Sequence, residues 1–176
     1  MSRIAVIGSP GAGKSTLSRK LGQALGLEVH HLDRLYWQPG WVETPRPDWI
    51  ALQQALVQRE AWIIDGNYGG TMEIRLARAQ AVICLDYSRW VCLWGAAKRR
   101  FDRQLRPDMA PGCPEHWELD FFRYIWQFPV RSRVNAEAKL AQLGPEVPVY
   151  RLRSRREAAA FLDRVRATGA LPLPTV

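Results

Sequence analysis

Residues 3–16 read RIAVIGSPGAGKST: an apolar run with a single arginine, then a glycine-rich turn closing on Lys14, Ser15 and Thr16. From Gly8 to Ser15 the turn fits G-x-x-x-x-G-K-[ST]. It also has the setting that motif needs, directly after a strand-like run and ahead of a helical pattern at 14–25. Glycines at 8, 11 and 13 let backbone N–H groups converge on a polyphosphate, at a helix N-terminus whose dipole favours negative charge. The motif predicts a nucleoside-triphosphate site made by Gly8, Ser9, Pro10, Gly11, Ala12, Gly13, Lys14, Ser15 and Thr16. Lys14 would reach the β- and γ-phosphates and Ser15 would ligate Mg²⁺.

Outward from this turn, apolar runs recur at 28–32 (EVHHL), 61–65 (AWIID), 81–85 (AVICL) and 147–152 (VPVYRL). The runs at 3–7, 61–65 and 81–85 are apolar on both faces, as buried strands of a parallel sheet are. Helical patterns fill the intervals at 14–25, 48–59, 88–105, 117–143 and 154–167, and Pro129 should divide the fourth into two helices. Ser154 with Glu157 three residues on is a capping-box start for the last helix. Strand–helix alternation predicts an α/β fold of three layers, with a parallel sheet covered on both faces. Two proline-rich stretches interrupt it. Residues 33–47 (DRLYWQPGWVETPRP) should be an ordered loop rather than a helix, and 104–116 (QLRPDMAPGCPEH) should separate a basic helix from an aromatic one.

The 176 residues suit a single domain, and 47% apolar with 24% charged residues excludes disordered, collagen-like and coiled-coil chains. No apolar stretch approaches about 18 residues and the N-terminal segment lacks a signal-peptide pattern, so the expectation is a cytoplasmic chain without a membrane partner. Three cysteines, none spaced C-x-x-C, suggest neither a disulfide framework nor a zinc ribbon. The formal charge of +8 points to an anionic partner and leaves nucleotide and nucleic acid both open. Asp65 closes the strand-like WIID and precedes Gly66, as an acid beside Mg²⁺ at the carboxyl edge of a sheet would. Asp86 closes VICL in the same manner and competes for that role.

GSPGAGKST, HHLDRLYWQPGW (30–41), WIIDGNYGGTMEIRLARA (62–79) and ICLDYSRWVCLWGAAKRR (83–100) together resemble the adenylate-kinase-like P-loop proteins called FlaR-like, or DNA-topology-modulation proteins. The resemblance runs from the first strand to the last helix. A wider resemblance is to adenylate and shikimate kinases. It implies a P-loop NTPase fold with a five-stranded parallel sheet ordered 2-3-1-4-5, an acceptor-binding insert (33–60) and an arginine-bearing lid (99–133).

By the same resemblance, Asp65-Gly66 matches the D-G whose acid holds Mg²⁺ through water. Where those kinases continue with proline and arginine, this chain has Asn67 and Tyr68, and Arg75 is the nearest substitute for the arginine. Asp33 sits where shikimate-type kinases carry an acid that contacts substrate hydroxyl or Mg²⁺. Arg34, Tyr36, Trp37 and Asn67 accompany it as acceptor-site candidates. Residues 98–103 resemble the start of a lid, with Arg99 and Arg103 clamping phosphate; Arg131 and Arg133 lie on the helix returning from it, and Arg153 follows the last strand, beside the base.

Phosphoryl transfer needs in-line positioning and charge neutralisation. Arg99, Arg103 and Arg106 share one helical face, either as a closing arginine stripe or as a solvated basic surface. Asp33 would serve an acceptor hydroxyl or Mg²⁺, or else fix its loop through backbone N–H groups. Tyr36, Trp37 and Trp41 would line an acceptor pocket or plug the insert from below. Trp117, Phe121, Phe122, Tyr124, Trp126 and Phe128 would pack between helices or form a nucleic-acid stacking surface. Three functions follow. The first is an ATP- and Mg²⁺-dependent kinase for a small-molecule, nucleoside or nucleotide acceptor. The second is a nucleotide-dependent DNA-binding protein, and the third an ATPase without acceptor. Oligomeric state is not legible.

Overall fold

The structure, a computed structural model, describes residues 1–101, 108–113 and 119–173. Arg103 and Arg106 of the expected lid stripe, and Trp117, lie outside the described residues. In chain order the elements begin with β1 (Arg3–Gly8), α1 (Lys14–Leu25), β2 (Val29–His31), α2 (Leu32–Tyr36), β3 (Trp37–Gln38), β4 (Val42–Glu43) and α3 (Arg46–Leu56). They continue with β5 (Trp62–Asp65), a 3₁₀ turn (Gly69–Thr71), α4 (Met72–Leu76), β6 (Ala81–Leu85) and α5 (Arg89–Phe101). The last are α6 (Leu119–Gln127), α7 (Ser132–Leu140), β7 (Val149–Leu152) and α8 (Arg155–Thr168).

Five strands form one parallel sheet in the order β2-β5-β1-β6-β7. Counting sheet strands alone, this is the expected 2-3-1-4-5. β1, β5 and β6 are buried almost end to end because both their faces are covered. Side chains alternate between the faces. Ile4 and Val6 pack with Leu17, Leu21, Cys92, Ile125 and Phe161, whereas Ala5 and Ile7 pack with Trp49, Leu56, Met72, Leu76 and Leu140. The three-layer reading therefore holds. Ser154 caps α8 by accepting from the Glu157 N–H at 3.1 Å, as its spacing predicts. Helices α6 and α7 separate around Pro129.

The stretch 33–47 differs from expectation. Instead of a loop, Leu32–Tyr36 forms a short helix and residues 37–43 form a two-stranded antiparallel hairpin. Tyr36 carbonyl ties it down, accepting from the Thr44 N–H at 3.0 Å and the Thr44 hydroxyl at 2.5 Å. The prolines sit at the hairpin tip and the start of α3, where a missing N–H costs nothing. The tip meets residues 108–113: Gly40 N–H donates to Gly112 O at 2.9 Å and Cys113 Sγ to Gln38 O at 3.1 Å. Among the described residues no helix is long and apolar enough to cross a membrane.

Candidate active site

The carboxyl ends of β1, β2 and β5 converge on the turn between β1 and α1. That turn is left-handed at Gly11 (φ 78°) and Gly13 (φ 89°), a backbone that side chains rarely adopt. Helix α5 presses on it from one side: an added Cβ at Gly95 would overlap the Gly11 carbonyl oxygen, and one at Gly11 would overlap the Cys92 carbonyl. Asn67 holds it from the other side. Its Oδ1 accepts from Gly8 N–H at 3.1 Å and its Nδ2 donates to Gly8 O at 2.6 Å. Asn67 and α5 thus hold the backbone of the cradle from two sides.

Lys14 is half-buried, and its Nζ donates to Ser9 O at 3.2 Å. Burial lowers its pKa below the ordinary lysine value; Asp33 and then Asp65 oppose that shift. A desolvated ammonium beside a left-handed amide cradle is suited to a polyphosphate. Ser15 lines the same cleft, a space of about 1160 Å³. These residues fit a nucleotide, and Ser15 offers a hydroxyl where the motif calls for a Mg²⁺ ligand.

Asp65 is buried at the end of β5, with Oδ2 2.8 Å from His31 Nδ1. Asp86 instead pairs with Arg133 at 2.8 Å and, with that arginine, borders a second, much smaller cavity. Of the two candidate acids, Asp65 is the one whose charge reaches Lys14. Sequence reasoning missed His31. The signal available was its place, two residues before Asp33 at the end of a sheet strand.

Asp33 lines the cleft and accepts from the Tyr68 hydroxyl at 2.9 Å on Oδ1. Burial, with Asp33 second, drives the Tyr68 hydroxyl far above the ordinary tyrosine pKa, so it stays a donor. Tyr68 belongs to an aromatic group in which Tyr36 touches Trp37, Trp49 and Tyr68 with ring centroids 4.8–5.0 Å apart, and Trp37 meets Trp41 at 5.3 Å. Trp37, Trp41 and Tyr68 face the cleft, and Trp49 backs them from the core. Among the described residues, Trp41 (φ 63°) and Tyr68 (φ 31°) are the non-glycines with positive φ. Such backbone costs about 1–3 kcal/mol per residue and clusters at functional sites.

Several expected site residues lie elsewhere. Arg75 is fully buried, donating from Nη2 to Gly66 O at 2.8 Å and to Asn67 O, and from Nη1 to Gln53 at 3.4 Å. It shapes the backbone beneath the site rather than lining the cleft. A guanidinium suits that place because its fork of donors can satisfy several carbonyls at once. Arg34 and Arg131 are exposed and, like Tyr36, Arg133 and Arg153, stand outside the cleft lining. Arg153 spends its backbone N–H on Glu157 at 2.8 Å, and Arg155, the first residue of α8, lines the cleft whereas Arg153 does not. Arg99 and Lys98 line it from α5. Arg103 lies outside the described residues. In α6 Ile125 is buried, whereas Trp126 is 42% exposed, meets Trp90 edge-on and lies beneath Arg89.

No protein-family model and no curated protein sequence matches the chain. Solved structures do match in fold. The shikimate kinase of Acinetobacter baumannii in complex with shikimate is 15% identical with a TM-score of 0.62, covering 94% of this chain and 90% of its own. The shikimate kinase of Bacteroides thetaiotaomicron is 17% identical (TM-score 0.55, 94% and 97% covered), and that of Aquifex aeolicus 16% (TM-score 0.52, 96% and 99% covered). At such identities the likeness is one of fold: a three-layer P-loop architecture shared over nearly the full length. The FlaR-like resemblance rests on its motifs.

Proposed function

We propose that the chain is an ATP- and Mg²⁺-dependent phosphotransferase acting on the hydroxyl of a small molecule. The observation that carries this reading is the placement of Asp33. It lines the same cleft as the phosphate loop, close enough for its charge to act on Lys14, and it borders the aromatic wall. An ATPase, whose nucleophile is water, has no use for the aromatic wall beside that acid. The three shikimate kinases that share this fold are kinases by name, which agrees with a transfer reaction.

Bound ATP would supply the phosphoryl group, with Mg²⁺ held by Ser15 and by Asp65 from behind. The backbone N–H groups of 11–16 and Lys14 bind and orient the triphosphate, and Arg99 and Arg155 line its approach from α5 and α8. Asp33 holds the acceptor hydroxyl and takes its proton. His31 keeps Asp65 turned toward the sheet edge, and Asn67 keeps the loop backbone aimed at the phosphates.

ADP formation with candidate acceptors tests the reading. Asp33→Asn should lower kcat by about 10²–10⁴-fold, the usual share of a positioned base, with little change in ATP affinity. Equal turnover by wild type and Asp33→Asn would refute the role of Asp33.

A further inference from the structure

Resting on that kinase reading, we infer that the acceptor is a hydroxylated ring bearing no anionic group, either uncharged or carrying an amine. Around the acceptor end, residues 33–69 contribute two carboxylates, Asp33 and Glu43, three aromatic rings, Trp37, Trp41 and Tyr68, and the Asn67 amide. None of these lining residues is cationic. Among the described residues, the cations that line the cleft come from its other walls: Lys14, Arg19 and Lys20 at the start of the chain, Lys98 and Arg99 on α5, and Arg155 on α8. Among the described lining residues, the segment 33–69 is thus acidic and aromatic, and its Asp33 reaches the Lys14 of the phosphate loop.

Two arginines that an anionic acceptor would need are otherwise placed. Arg75 is buried with its donors on Gly66, Asn67 and Gln53, and Arg34 is outside the lining. A carboxylate or phosphate on the acceptor would face Asp33 and Glu43 in the lining, whereas the nearest described cations on that side stand behind it, Lys139 engaged by Gly69 O and Glu73 and Arg46 beside Gly70. The same wall favours a ring with polarised C–H bonds or an ammonium group, because aromatic faces are negative. Glu43 is held in place by the Tyr36 hydroxyl. Trp41 and Tyr68, whose side chains border this wall, have positive φ.

The step balances without a further reactant. The acceptor hydroxyl oxygen forms the new P–O bond, and the bond from the γ-phosphorus to the β–γ bridging oxygen breaks. ADP leaves with that electron pair. The hydroxyl proton passes to the Asp33 oxygen that Tyr68 does not occupy.

The test is a matched panel with Mg²⁺–ATP: glucose, glucosamine, glucuronate and glucose 6-phosphate; adenosine and its 5′-monophosphate; and shikimate. Thermal shift and ADP formation are read together, and ATP binding is measured on the same sample. An uncharged or amine-bearing member should be preferred over its anionic counterpart by about tenfold or more in kcat/KM. Glu43→Gln separates the two kinds: it should weaken an amine-bearing acceptor and leave an uncharged one nearly unchanged. Glu43→Arg should raise activity toward the anionic counterpart. Preference for an anionic member, or no response to any uncharged or amine-bearing member while ATP binds normally, overturns the inference. Failure of ATP to bind overturns the kinase reading beneath it.

Discussion

His31 Nδ1 lies 2.8 Å from Asp65 Oδ2, and both side chains are buried at the carboxyl ends of adjacent parallel strands. β2 and β5 pair so that these two residues stand side by side, and the acid proposed to sit behind Mg²⁺ is thereby held from one side. Removing the imidazole leaves a buried carboxylate short of a partner. His31→Ala should therefore cost about 2–4 kcal/mol of stability, read by urea denaturation. Unchanged stability would mean that Asp65 is satisfied without His31.

Gly95 meets Gly11 where α5 crosses the phosphate loop, too closely for any side chain. Gly95→Ala must push the Gly11 carbonyl aside. The overpacking should cost about 1–3 kcal/mol, with ATP affinity falling further than global stability explains. Titration calorimetry beside a denaturation curve separates the two effects. Normal ATP affinity in the variant would show that the loop tolerates displacement.

Arg75 tests a choice between ligand binding and architecture. Arg75→Met keeps the apolar stem and strips the donors from Gly66 O, Asn67 O and Gln53. Buried acceptors left unpaired should cost about 1–3 kcal/mol, seen as a lower denaturation midpoint. A raised acceptor KM with unaltered stability would return Arg75 to the acceptor site.

Lys14 gives a pH signature. Burial lowers its folded pKa below 10.5, so between the two values the unfolded chain binds more protons. Charged Lys14 thus costs stability below its folded pKa, and the cost is relieved as pH rises toward 10.5. A bound triphosphate pulls the proton back. Between the lowered value and 10.5, Mg²⁺–ATP binding should therefore take up protons, giving heats that vary with the ionisation enthalpy of the buffer. Lys14→Met should remove that variation. Buffer-independent heats in the wild type would place Lys14 away from the phosphates.

The sheet was legible because buried parallel strands are apolar on both faces, as in AVICL and WIID, and because G-x-x-x-x-G-K-S fixes one strand–turn–helix unit. The insert was misread for a physical reason. Prolines and tryptophans argue for irregular chain, yet here the prolines occupy a hairpin tip and a helix start, and Trp37 forms part of the hairpin itself. The arginines were misplaced because charge alone cannot say which way a side chain points. Arg75 turned inward to the carbonyls of Gly66 and Asn67, and the start of α8 puts Arg155 rather than Arg153 on the cleft. His31 escaped notice because its partner is 34 residues away in sequence and adjacent only across the sheet.

Calorimetric titration of Mg²⁺–ATP into wild type and Lys14→Ala tests the central claim most directly. Saturable one-site binding is expected in the wild type, with affinity lower by about tenfold or more in the variant. The variant's thermal midpoint should be no lower than that of the wild type, because the buried ammonium is a cost to folding. No heat from the wild type, or equal affinity in the two proteins, would contradict the phosphate loop as the nucleotide site.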